Sequence, residues 1–289
     1  LNRREHTLAQ IRVLREIART HGRRVPRRTR LPRQLQPDLI RATYLSGITS
    51  LVLEPMLALV QKELIPELDE LIARAKVERG DSRNDASTRD VRSTLARLAK
   101  QLDEDASPRQ LEALAQKIGE RTSAFQREQL QKQIKAAVAV DPLMNEAGIS
   151  ARVGQFTQQN VALIKTVPQK FFGEIEQSVI SGVRAGTRAS EISADIQERY
   201  GVAESNAKRI ANDQVGKFFG ELNKARQTNL GIDGYFWRGM LDNRERPEHY
   251  EREGTRYAWD DPPDGGHPGE DINCRCWSDP DLSAILDNL

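Results

Sequence analysis

Aromatic residues make up only 5% of this 289-residue chain, and it holds just two cysteines and three methionines. So few large rings exclude a compact aromatic-rich core. With 30% charged residues, the composition favours long solvated helices. The two cysteines, Cys274 and Cys276, stand one residue apart. Such close neighbours make a poor disulfide pair, which reads against an oxidised secreted scaffold and for a cytosolic origin. The first residues are arginine-rich and lack the apolar core of a secretory signal. The most apolar stretch, Leu45 to Val60, is interrupted by Glu54–Pro55 and falls short of the roughly 20 residues that span a bilayer. It reads as a buried helix or one docked on a partner, and no membrane span is expected. Also missing are a phosphate-binding glycine loop, a Gly-x-Ser-x-Gly elbow and a His-Glu-x-x-His helix, so no enzyme is expected.

What is present begins with charge. The net charge of +2 conceals an asymmetry, since Leu1 to Arg33 holds eleven arginines, two glutamates and no lysine. The remainder is therefore mildly acidic. Leu8, Ile11, Leu14, Ile17 and Ala18 recur at helical spacing and predict a first helix that stops near Gly22. The proline-broken segment that follows carries Arg23, Arg24, Arg27, Arg28, Arg30 and Arg33, and reads as extended and exposed. Arginines at this density neutralise phosphates without reading sequence, so the arm fits non-specific contact with double-stranded DNA. An acidic protein face is an equally good partner.

The remaining pattern predicts a mainly α protein, an elongated helical body followed by a small C-terminal α+β cap of loops and short strands. Leu39 to Val77 is helical, with Pro55 and Pro66 marking kinks or new turns, and its Leu51–Val60 segment is the preferred partner-binding face. Gly80 to Asp85 is a polar linker. Two helices follow between Ser87 and Val140, the second opened by Ser107 as N-cap and Pro108. Helices over Ala151–Lys165 and Gln169–Arg184 should be separated by Pro168. A short helix from Ser190 should stop at Tyr200–Gly201, and a strong one runs from about Glu204 to Gln227. Tyr235–Trp237 and Thr255–Trp259 suit strands. The expected divisions are residues 1–38 (arm with a short helix), 39–141 (helical region), 150–280 (a C-terminal domain) and 281–289 (tail).

Beyond the last long helix come Trp237-Arg238, then Asp242-Asn243-Arg244-Glu245-Arg246-Pro247-Glu248-His249, Glu253-Gly254, His267-Pro268-Gly269 and Asn273-Cys274-Arg275-Cys276. This ordered set resembles the phage Mu protein F-like head-morphogenesis family over roughly Ile149 to Pro280. Where the family helix often carries Thr-Glu or Thr-Gln, this chain has Asn212-Asp213-Gln214. The resemblance implies a minor structural protein of a tailed-phage head, made in the host cytoplasm and resident in the virion. It also implies association with the portal or head interior, with portal protein, major capsid protein and packaged DNA as partners.

The block has two chemical readings. Cys274 and Cys276 project to one side of an extended segment and can ligate one metal. His249 and His267 then complete a Cys₂His₂ structural zinc site, with Asp242 as a substitute ligand. Alternatively the block is a charged turn stitched by Arg–carboxylate pairs, with the cysteines simply packed. A metal-dependent nuclease or transferase using the Asp242–His249 and His267–Cys276 regions is the alternative function, though sequence shows neither a cleft nor a tuned acid.

Overall fold

The computed structural model describes residues 2–20, 31–78, 86–105, 107–140 and 146–288. The fold is mainly α, with a small three-stranded antiparallel sheet near the C-terminus. Of the sequence expectations, the Gly80–Asp85 linker, Asp141–Pro142 and every arm arginine except Arg33 lie outside the described residues.

The chain groups into two compact units, each drawn from separated stretches of sequence. One comprises Ala42–Ala115 and Thr157–Ala211. It holds most of the helical run α2 (Asp38–Ile48), α3 (Glu54–Leu59) and α4 (Leu68–Glu78), and also α5 (Ala86–Asp105). Pro55 and Pro66 do not break that run. Five-residue π-turns cover Thr49–Leu53 and Val60–Leu64, so that Glu54 N–H reaches Thr49 and Ile65 N–H reaches Val60, each five residues back. Widening the turn just before a proline relieves the clash of its ring with the carbonyl four residues earlier.

The run therefore stays helical from Asp38 to Val77, as the spacing predicted, with new turns starting at the two prolines. By length and composition it can cross a membrane, and 39% of its most apolar stretch is buried within the molecule. Val52, Leu53, Met56, Val60 and Leu64 are at most 2% exposed. These side chains are buried, whereas Leu51, Leu57 and Leu59 on the same segment remain partly exposed.

The same tolerance of breakers recurs in the next helices. α6 (Pro108–Val138) starts at Pro108 as expected. α7 is one helix from Ile149 to Ala185 with Pro168 inside it, and α8 is one helix from Ala189 to Asn229 through Gly201. Both expected breaks are corrected. Ile164, Val167 and Phe171 are buried across Pro168, and Ile196, Ala203 and Ala207 across Gly201. A helix interior glycine costs only about 1 kcal/mol against alanine, less than the burial of one leucine-sized side chain. The stripe expected on α8, including Ile210, Val215, Phe218 and Leu222, is buried.

The other unit comprises Leu1–Arg41, Gln116–Phe156 and Asn212–Leu289. α1 (Arg3–Thr20) lays Ile11 against Leu130, Ile134, Leu230 and Ile285, the last from α10 (Ser283–Leu286). Gly231 ends α8 in a left-handed conformation, φ +77°, where a side chain would also strike the backbone of Arg4. The chain then enters β1 (Gly234–Arg238), which pairs with β2 (Arg256–Ala258) on one side and β3 (Trp277–Pro280) on the other. Tyr235 faces Tyr257 in register, and Trp237 faces Ser278. Between β1 and β2 lies α9 (Pro247–Glu251). Tyr235, Trp237 and Trp259 pack with Cys274 and Cys276 into a second small core.

Candidate metal centre

Two close approaches seat the cysteine segment on α8. Gly216 and Gly220 lie one turn apart, and a Cβ at Gly220 would sit 2.5 Å from the Pro268 carbonyl and 3.4 Å from Gly269 Cα. A Cβ at Gly216 would meet the Cys274 carbonyl at 3.4 Å. Asp213, on the same helix, accepts the Asn273 N–H at 2.9 Å. Asn273 has φ +56°, a left-handed conformation that Asn tolerates better than most residues. The bond from Asp213 holds that turn, and Cys274 and Cys276 follow it.

Three expected ligands come together here. His249 Nδ1, Cys274 Sγ and Cys276 Sγ lie within 4.8 Å of one another, and all three residues are buried. Nδ1 is 3.7 Å from the Cys274 sulfur and 3.4 Å from that of Cys276. The other ring nitrogen, Nε2, is 2.8 Å from Asp271 Oδ2. In the neutral ring a carboxylate there places the imidazole proton on Nε2 and leaves the Nδ1 lone pair facing the sulfurs, the outer-shell arrangement common to metal-binding histidines. Backbone N–H groups of Gly269 and Cys276 each point at Cys274 Sγ from 3.4 Å.

The electrostatics prepare one sulfur as an anion. A hydrogen bond from Cys276 lowers the Cys274 pKa, opposed by burial and helped by His249 and the two amides. The same bond to Cys274, together with burial, raises that of Cys276. The Cys274 hydrogen bond raises His249 against its burial, with Asp271 adding to the rise. Three buried groups with matched donor atoms can hold a soft or borderline cation.

His267 does not join them. Its Nε2 meets Lys224 Nζ at 3.0 Å and its Nδ1 meets the Tyr235 hydroxyl at 2.9 Å. Burial and the Lys224 charge lower its pKa, as expected for a neutral ring accepting from an ammonium. Nor is Asp242 free, since Arg275 grips both of its oxygens at 2.7 and 2.5 Å. Arg244 N–H also donates to it at 3.0 Å, and Arg246 donates to the Ile272 carbonyl at 2.8 Å. The Asp242–Arg246 stretch is thus a turn stitched by arginines beside a cysteine–histidine cluster, so the two sequence readings each describe half of the block. Arg33 stacks over Trp277 at 4.9 Å and donates to Met240 Sδ at 3.1 Å; Arg23, Arg24, Arg27, Arg28 and Arg30 lie outside the described residues.

Sequence reasoning missed three supports. Asp271 and Glu245 each lie within a few residues of a predicted ligand, but carboxylates are common there and spacing alone does not single them out. Asp213 carried a signal: it stands where the family helix has its polar pair.

A mainly helical chain ending in an aromatic cap around a cysteine–histidine cluster is the class that the fold defines. Residues 173–278 match the family described as Phage Mu protein F like protein. The chain carries a Mu protein F-like region, as its motif order implied, and that family points to phage head morphogenesis and the virion. An uncharacterized protein of Haemophilus influenzae is 33% identical over 147 residues, covering 50% of this chain and 32% of the relative. The alignment thus spans about a third of that relative's length. No solved structure matches the chain.

Proposed function

We propose that this protein is a minor structural protein of a tailed-phage head, acting in head assembly at the portal or in the head interior and assisting DNA packaging or delivery. The observation that carries the reading is the match over residues 173–278, which contains the cysteine–histidine cluster and its supports. In this reading the portal and major capsid proteins are its partners, and the protein is made in the host cytoplasm. The arginine arm contacts packaged double-stranded DNA without sequence preference.

The cluster serves as a structural zinc staple rather than a reactive centre. Thiolate and imidazole donors suit zinc, and a small cap gains stability from such a crosslink. The cavity over the cluster measures about 20 Å³, room for a single ion or water.

Heads purified from the phage that encodes the chain are expected to contain the protein in a few copies each, and its removal should reduce the yield of filled heads. Absence from both heads and assembly intermediates would overturn the assignment. For the staple, the purified chain should carry about one zinc per molecule without nuclease activity. Metal-dependent cleavage of DNA would favour the enzyme instead.

A further inference from the structure

The sequence offered His267 and Asp242 to complete the ligand set, and both are committed to other partners. We propose that Glu245 is the fourth ligand, giving a closed Cys₂-His-Glu site for a divalent metal ion. The inference rests on the zinc staple proposed above and adds the residue that closes it.

Glu245 Oε1 lies 3.3 Å from Cys276 Sγ. Metal–ligand bonds of about 2.0–2.3 Å at tetrahedral angles place ligand atoms roughly 3.3–3.8 Å apart. The separations of Cys276 Sγ from Glu245, of Cys276 Sγ from His249, and of Cys274 Sγ from His249 are 3.3, 3.4 and 3.7 Å. All three fall on or within that range. Only His249, Cys274 and Cys276 have donor atoms all within 4.8 Å of one another, so the Glu245 carboxylate must move in toward Cys274 and His249 as the ion binds. Glu245, His249, Cys274 and Cys276 also line the same cavity of about 20 Å³, the size of one ion.

The carboxylate is held beside the cluster. Its other oxygen, Oε2, accepts the Leu241 N–H at 2.5 Å. Leu241 has φ +57°, a left-handed conformation that a leucine rarely adopts and that persists where its surroundings impose it. Gly239 completes the fit, because a Cβ there would collide with the Glu245 carboxylate. Left-handed residues thus stand on both sides of the cluster, Leu241 presenting Glu245 and Asn273 leading into Cys274. Two thiolates, one carboxylate and a neutral imidazole around a divalent ion leave one net negative charge. Arg244, Arg246 and Arg275, which line the same cavity, offset it.

A metal bound by all four groups would fasten the Gly239–Glu245 turn to α9 and to the entry of β3. Cobalt(II) substitution of the full chain tests this. The parent should give the intense visible bands of a closed tetrahedral site with two thiolates, unchanged by added azide. Glu245→Gln should still bind one cobalt, weakened by roughly tenfold or more, with a spectrum that shifts on adding azide. Glu245→His supplies a new nitrogen ligand and should restore insensitivity to azide, which separates lost ligation from misfolding. Asp242→Asn and His267→Gln should leave the cobalt spectrum as in the parent. A Glu245→Gln spectrum identical to the parent's overturns Glu245 as ligand while leaving the three-residue staple standing. Failure of the parent to bind metal, or binding retained in Cys276→Ser, overturns both.

Discussion

Asp213 is buried on α8, with one carboxylate oxygen on the Asn273 amide and the other on Lys217 Nζ at 3.0 Å. It touches no proposed ligand, yet it sets the turn that delivers Cys274. Asp213→Ala should therefore weaken zinc binding by roughly tenfold or more, read by competition with a chromogenic chelator. Asp213→Asn keeps an acceptor and should retain most of the affinity. Equal losses in the two variants would mean that the carboxylate charge, not its hydrogen bond, matters. A second residue-scale prediction concerns Asp281. Burial pushes its carboxyl up, but hydrogen bonds from Ser283 and from Arg256, the latter at 2.6 Å, hold it below the usual range. A depressed folded pKa contributes stability that is present above the unfolded value of about 3.9 and lost as pH falls through the folded one. Acid unfolding of Asp281→Asn should show a flatter dependence below about pH 4, and an unchanged slope would exclude this group.

At the scale of elements, α8 joins the cap through two kinds of contact. The first is close approach at Gly216 and Gly220. Gly220→Ala drives a methyl into the Pro268 carbonyl, and overpacking against backbone costs about 1–3 kcal/mol. Chemical denaturation followed by tryptophan fluorescence should report that loss, since all three tryptophans lie in the cap. The second contact is a buried amide network. Asn223 donates to the Ser278 carbonyl and hydroxyl and to Gln34, and accepts from Gln126 and Gln227. Gln133 extends it to Asp279 at 2.6 Å. Asn223→Leu leaves several of these groups buried without a partner, each at about 1–3 kcal/mol. The loss should exceed that of Gly220→Ala. A neutral result would mean that water replaces the amide.

For the whole molecule, the charge distribution separates the functions. The residues after Arg33 carry a net negative charge, whereas the arginine arm concentrates positive charge in a short segment. Replacing Arg23, Arg24, Arg27, Arg28 and Arg30 with Ala should abolish retention on double-stranded DNA at low salt. Because each phosphate contact contributes a slope of about 0.9 in log affinity against log salt, the dependence should flatten as well. Unchanged retention would exclude the arm from DNA contact and leave an acidic protein face as its partner. Arg33, stacked on Trp277, should affect cap stability more than DNA affinity.

The sequence alone determined the helical class, the core stripe of α8, the strands around Tyr235 and Tyr257, and the Mu protein F-like region, because periodicity and motif order are local properties. It also brought His249, Cys274 and Cys276 forward as ligands, since few residue types bind soft metals. Only the tertiary structure decided that Pro168 and Gly201 interrupt nothing. Breaker residues act against local propensity, and burial on both sides outweighs a cost of about 1–3 kcal/mol. The third strand, Trp277–Pro280, was likewise invisible in a short segment whose pairing partner lies some forty residues away. The choice among His267, Asp242 and Glu245 was also tertiary. Each has a suitable donor atom, and what separates them is whether Lys224, Tyr235 or Arg275 has already claimed it.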